Sequence, residues 1–211
     1  YPGSDVFRGA EALIKGYGFG PLEPNNLVLG ESQREENLPD FVRLILLSHQ
    51  MRRNLVLVRE GGERGDLPTA PRIDLWWRGQ QTNIGLMMTL AFLLKRSDRW
   101  AKSRIVLKRT IAHESERPEI EAYLQSFMDQ QRLDIEFEVL CAEGKMPFDL
   151  MRTSSGDAAM VLLGMKHPLP EESEADYLAY YHRLAASTHG LPVVLVLSAE
   201  QVDFRQIIGI G

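Results

Sequence analysis

Short apolar runs rich in Val, Ile and Leu recur along the chain, at 27–29, 55–58, 73–77, 105–107, 159–163 and 193–197. Near-continuous runs of this length suit strands covered on both faces, as in a parallel sheet flanked by helices. One further segment, 134–139, has a different pattern: Ile135, Phe137 and Val139 alternate with Asp134, Glu136 and Glu138. That alternation predicts a half-exposed strand near a sheet edge. Between the runs lie helical stripes. Leu38, Phe41, Val42, Ile45 and Leu46 follow the spacing of an amphipathic helix, and so do Ile120, Tyr123, Leu124, Phe127 and Met128. Pro118 suits the first turn of the second. Tyr177, Tyr180, Tyr181 and Leu184 form a third stripe, with Gly190 as a fitting stop.

The segment Ile84 to Leu94 is apolar nearly all round. Such a helix must be covered on more than one side, by the sheet and by another layer or subunit. It is also about half the ~20 residues that a transmembrane helix needs, so no direct membrane insertion is expected.

Strand and helix in alternation predict an α/β three-layer sandwich with a mostly parallel sheet. The chain reads as two related α/β subdomains of similar architecture. The first, 1–97, holds a helix and then strands near 27–29, 55–58 and 73–77; the second, 98–211, holds strands near 104–107, 134–139, 158–163 and 192–197. Gly, Pro and charge mark a connection at 61–72, and a second polar stretch, 168–176, leads into the last helix.

Composition narrows the partners. The 211 residues are 44% hydrophobic and 25% charged, with net charge -5. That balance fits a globular domain and argues against sequence-independent nucleic-acid binding or a polybasic membrane anchor. The single cysteine, Cys141, rules out an internal disulfide and a Cys-based zinc cage. No secretory signal opens the chain, and Tyr1 in place of an initiator Met suggests a piece of something longer.

Motifs that carry chemistry are missing. No phosphate-loop motif and no G-x-S-x-G elbow occur. Gly16-Tyr17-Gly18-Phe19-Gly20 precedes the first strand, whereas a dinucleotide loop must follow one. After the first strand comes Gly30-Glu31-Ser32, whose Glu31 repels phosphate. His49, His113, His167, His182 and His189 are scattered. His182 with Arg183 reads as a surface pair, His113 with Glu114 as a helix-start element, and Cys141 as a small buried hydrophobe. Arg64-Gly65-Asp66 is too short a motif to carry weight. No catalytic, cofactor-binding or metal-binding residue is assigned. A universal-stress-protein-like ATP site needs a Gly-rich loop after a late strand. Gly164-Met165-Lys166-His167-Pro168 stands there, lacking the further glycines and carrying a proline without an N–H.

Gly18 to Gly30, with Pro24-Asn25-Asn26-Leu27-Val28-Leu29-Gly30 at its end, is the first of three stretches that carry a resemblance: it is similar to the opening signature of the C-terminal cytoplasmic domain of cation-chloride cotransporters. Ile73-Asp74-Leu75-Trp76-Trp77 resembles its Trp-Trp strand, followed as there by an apolar helix and a basic segment with Trp100. Gly156 to Met165, then a Tyr-rich helix and Leu191 to Leu197, match its closing strands in order. After Trp77, Arg78-Gly79-Gln80-Gln81-Thr82-Asn83 replaces the family's acidic, Gly-rich segment. Long Ser/Thr-rich insertions are absent, as in a compact prokaryotic-type member.

The resemblance implies a universal-stress-protein-like fold and a non-catalytic regulatory and dimerisation role. It implies attachment to a membrane transporter that moves ions through its own transmembrane domain. The expected partners are that transmembrane domain and a second copy, at the cytoplasmic face of the cell membrane. No cofactor is expected. The alternative is a nucleotide-responsive binding module of the same fold, for which ATP is the candidate ligand.

Overall fold

The computed structural model describes residues 6–16, 25–31, 34–61, 68–78 and 81–199. Among these, six α-helices and seven strands follow one another in chain order. They are α1 (Val6–Gly16), β1 (Asn26–Gly30), α2 (Leu38–Gln50), β2 (Asn54–Arg59), β3 (Arg72–Trp76), α3 (Gln81–Lys95), β4 (Arg104–Ile111), α4 (Arg117–Gln131), β5 (Glu136–Cys141), α5 (Pro147–Ser155), β6 (Met160–Gly164), α6 (Glu174–Ser187) and β7 (Val193–Leu197).

All seven strands form one sheet in the order β1-β2-β7-β6-β3-β4-β5. Every pairing is parallel except β2 with β7. The α/β sandwich with a mostly parallel sheet is therefore present. The boundary expected near 97/98 is not a break in it. β3, from the first segment, lies between β6 and β4 of the second, and β2 pairs with β7. Three of the six strand pairings, β2 with β7 and β3 with β4 and β6, cross that boundary, so the sheet is shared by the two segments.

Alternation along each strand sends side chains to two cores. Ile73, Leu75 and Trp77 join Ile105, Leu107 and Leu162 beneath α3 and α4. On the other face Leu55, Leu57, Val161, Leu163, Val193 and Leu195 pack under α2, α5 and α6. Each fully buried Val or Leu contributes about 1.5–3 kcal/mol relative to exposure.

The all-round apolar helix, α3, is buried over Asn83–Thr89 within the chain itself, and among its large apolar side chains Leu93 is the exposed one. Its hydrophobicity thus demands no second subunit. β1 departs from expectation in the other direction. Its run 27–29 reads as doubly covered, but β1 is an edge strand and Val28 is 62% exposed.

Candidate functional site

In the parallel part of the sheet, β3 leads through α3 on one face, while β6 leads through α6 on the other. The crevice between the carboxyl ends of β3 and β6 is thus a topological switch point, where open α/β sheets take ligands. A cleft of about 350 Å³ opens there, walled by Trp76, Trp77, Ile84 and Tyr180, with Arg78 and Lys166 among its lining residues.

The chain's own side chains close the floor of this cleft. Asn83, in the first turn of α3, is 6% exposed. Its Nδ2 donates to the Met165 carbonyl at 2.7 Å, and its Oδ1 accepts from the Ser198 N–H at 2.8 Å. One amide thereby bridges the ends of β6 and β7. Gly164 makes room for it: a Cβ there would lie 2.9 Å from Asn83 Nδ2. The loop after β6 is likewise occupied. The Lys166 N–H donates to the Tyr180 hydroxyl at 2.7 Å, and the Tyr177 hydroxyl donates to the Lys166 carbonyl at 3.0 Å. Burial pushes both phenols up, so they stay neutral. Lys166 pairs with Glu172, and its ammonium lies 5.4 Å from the Tyr180 ring centre. Arg78 stacks over Phe148 at 5.2 Å.

A second polar centre surrounds Asp74, which is completely buried. Arg72 Nε reaches one carboxylate oxygen at 2.9 Å; the other accepts from Ser155 Oγ at 2.6 Å and faces Lys108 Nζ at 3.3 Å. Trp76 Nε1 donates to Ser155 Oγ at 2.9 Å, while Arg72 and Lys108 both donate to the Ser154 carbonyl. Two cations thus cap the last turn of α5, a favourable place for positive charge. Asp157 and Glu138 complete the network. The Ile-Asp-Leu-Trp-Trp segment therefore divides its work. Ile73, Leu75 and Trp77 fill one core, and Asp74 and Trp76 tie α5 to the opposite face.

The Asn-Asn-Leu-Val-Leu-Gly segment is also a fastening. Asn54 Nδ2 donates to Asn26 Oδ1 at 3.0 Å, and Asn54 Oδ1 accepts from the Ala199 N–H at 2.8 Å. At the other end of β1, Glu31 pairs with Arg59 at 3.0 Å and accepts from the Tyr181 hydroxyl at 2.9 Å. Arg59 in turn donates to the Thr188 carbonyl at 2.7 Å. Glu31 is thus consumed in holding β1 and β2 to α6.

The remaining sequence candidates do not converge. His182 and Arg183 are exposed on α6, His113 donates its backbone N–H to Glu116 Oε1 at 2.8 Å, and Cys141 Sγ lies 3.7 Å from the Ala112 carbonyl. Residues 17–20, Ser32 and the Arg64–Asp66 triplet lie outside the described residues. Among the described residues, no group of three or more His, Cys, Asp or Glu could hold a metal. The structure does join two histidines that the sequence keeps far apart. The rings of His49 and His167 meet edge-on at 5.5 Å, and burial lowers both below the usual histidine range.

Fold and cleft together define a doubly wound α/β domain whose switch point is bridged by its own asparagine and tyrosines. No protein-family model and no curated protein matches the chain. Among solved structures it is similar to the crystal structure of the cytoplasmic domain of a prokaryotic cation chloride cotransporter. The TM-score is 0.66 and the identity 18%, covering 96% of this chain and 73% of that one. The chain has that domain's fold. Among the described residues, no helix is long and apolar enough to cross a membrane.

Proposed function

We propose that the chain is a non-catalytic cytoplasmic regulatory domain of a prokaryotic-type cation-chloride cotransporter. Ion transport belongs to a separate transmembrane domain, which is also this domain's first partner; a second copy of the chain is the other. The observation that carries the reading is the shared fold over 96% of the chain. Support also comes from the roles of the two motif segments, since Asp74, Trp76 and Asn26 each fasten one element to another.

The test is the reading frame that encodes the chain, followed by flux. Twelve hydrophobic spans are expected ahead of residue 1, and deleting 1–211 from the parent should change chloride-dependent cation flux in vesicles. A parent without such spans overturns the proposal, as does unchanged flux after the deletion.

A second reading, a nucleotide-responsive module, draws on the cleft at the switch point and its two cations. Against it, the Lys166 N–H that a phosphate would need already serves Tyr180. Calorimetric titration with ATP and ADP is expected to give no heat at millimolar ligand. Saturable heat that Asn83→Ala or Lys166→Ala alters would reverse the order of the two readings.

A further inference from the structure

The two edges of the sheet are built differently. On β5, Glu136 and Glu138 carry charge, Arg104 pairs with Glu136, and Arg117 Nη1 donates to the Val139 carbonyl at 2.8 Å. Charges and a capping side chain of this kind protect an edge from strand addition. β1, Asn26-Leu27-Val28-Leu29-Gly30, has neither charge nor proline.

Two hydrogen bonds fix which way the β1 backbone faces. The Asn54 N–H donates to the Asn25 carbonyl at 2.7 Å, and the Glu31 N–H donates to the Val58 carbonyl at 2.9 Å. Residues 25, 27, 29 and 31 therefore turn toward β2. The N–H and C=O of Asn26, Val28 and Gly30 point out of the sheet, where no described residue pairs with them. The face of β1 that Val28 and Gly30 share is open as well: Val28 is largely exposed, and a Cβ added at Gly30 would meet nothing within 4 Å.

We propose that β1 is a strand-pairing edge whose occupant is β1 of a second copy, antiparallel across a twofold axis at Val28. This rests on the homodimer reading above and assigns its contact. The strand's register is self-complementary. With the axis on an outward-facing residue, Val28 opposes Val28 as a hydrogen-bonded pair, and Asn26 opposes Gly30 on both sides. Every outward N–H and C=O of 26, 28 and 30 then finds a partner. The absence of charge on β1 means that no like charges meet, whereas β5 paired with itself would oppose glutamates. On one face the two Val28 side chains come together beside Val56, and on the other Leu27 and Leu29 extend the core beneath α2. Assembly stops at two copies, because the twofold consumes one edge and Arg117 with the glutamates guards the other.

The test is sedimentation and cross-linking of the full 211-residue chain carrying Cys141→Ser. A hydrogen-bonded antiparallel pair holds Cα atoms about 5.5 Å apart, within the span of a disulfide. Val28→Cys is expected to form a covalent dimer on mild oxidation, and Glu136→Cys on the opposite edge is not. Val28→Lys should weaken the dimer at least tenfold, with an unchanged urea midpoint when both proteins are dilute enough to be monomers. A monomer at high micromolar concentration overturns both the β1 contact and the homodimer reading. A dimer that ignores Val28→Lys and leaves Val28→Cys uncrosslinked overturns the β1 contact alone.

Discussion

Asp74 shows how much one buried carboxylate holds. Asp74→Asn leaves Arg72 and Lys108 with the exposed Asp157 and the half-buried Glu138 as their remaining acids. Removing one member of a buried pair costs about 3–5 kcal/mol, and the residual partners favour the lower end. Asp157→Asn removes a group that is 79% exposed and should cost under about 1 kcal/mol. Urea midpoints at constant m-value measure both, and equal losses would refute the buried-anchor account. His49 and His167 give a pH effect of definite sign. Both are lowered from the usual value of 6.5 by burial, and His167 further by His49. The folded chain then binds fewer protons than the unfolded one just below that value. Their contribution is complete above about pH 6.5 and falls as acidification proceeds through the lowered folded-state values. The double variant His49→Phe, His167→Phe should flatten the stability profile between about pH 7 and 5. An unaltered slope would dismiss the pair as its source.

Element by element, the helices α2, α4 and α6 lie where their apolar stripes put them, because a 3.6-residue period can bury only one face. β4 is longer than its apolar run. It continues through Lys108, Arg109 and Thr110 because Lys108 is neutralised in the core by Asp74 and Glu138. That pairing spans three strands, so no local pattern announces it. α5 has no apolar stripe strong enough to announce it. It is fixed instead by Met151 and by Ser154 and Ser155 on the buried charges. The close approach of α3 to β6 can be tested at Gly164. Gly164→Ala drives a Cβ into Asn83 and should cost about 1–3 kcal/mol, comparable with other overpacking. Asn83→Ala should cost about as much by leaving the buried Ser198 N–H without its acceptor. If Gly164→Ala is neutral by thermal or urea unfolding, Asn83 does not lock the switch point.

For the molecule as a whole, the shared sheet has a consequence for folding. β3 has its neighbours β4 and β6 only in the later segment, and β2 has β7 there. A fragment 1–97 should therefore lack native circular dichroism, and the full chain should unfold in one cooperative transition. Two separate transitions, or a folded 1–97 fragment, would restore independent subdomains. Elements from both ends of the chain converge on one sheet, so strain at one edge is shared by strands from both segments.

The amino-acid pattern alone determined the α/β class, the positions of most strands and helices, the edge character of the strand near 134–139 and the lack of a conventional phosphate loop. Each of these is written in short-range periodicity or in the presence of particular neighbours. It also showed the motif segments that resemble cotransporter domains, but not what their residues do. Only the tertiary structure decided that Asp74 and Glu31 are buried anchors, that Asn83 bridges β6 and β7, and that His49 meets His167. It also decided that α3 is buried without a second subunit and that β1 lies at an edge where no described residue pairs with its outer side. The reason is physical: burial of a charge, closure of a crevice and exposure of an edge depend on strand order. Strand order joins residues more than a hundred positions apart, such as Asn83 with Ser198 and Glu31 with Tyr181.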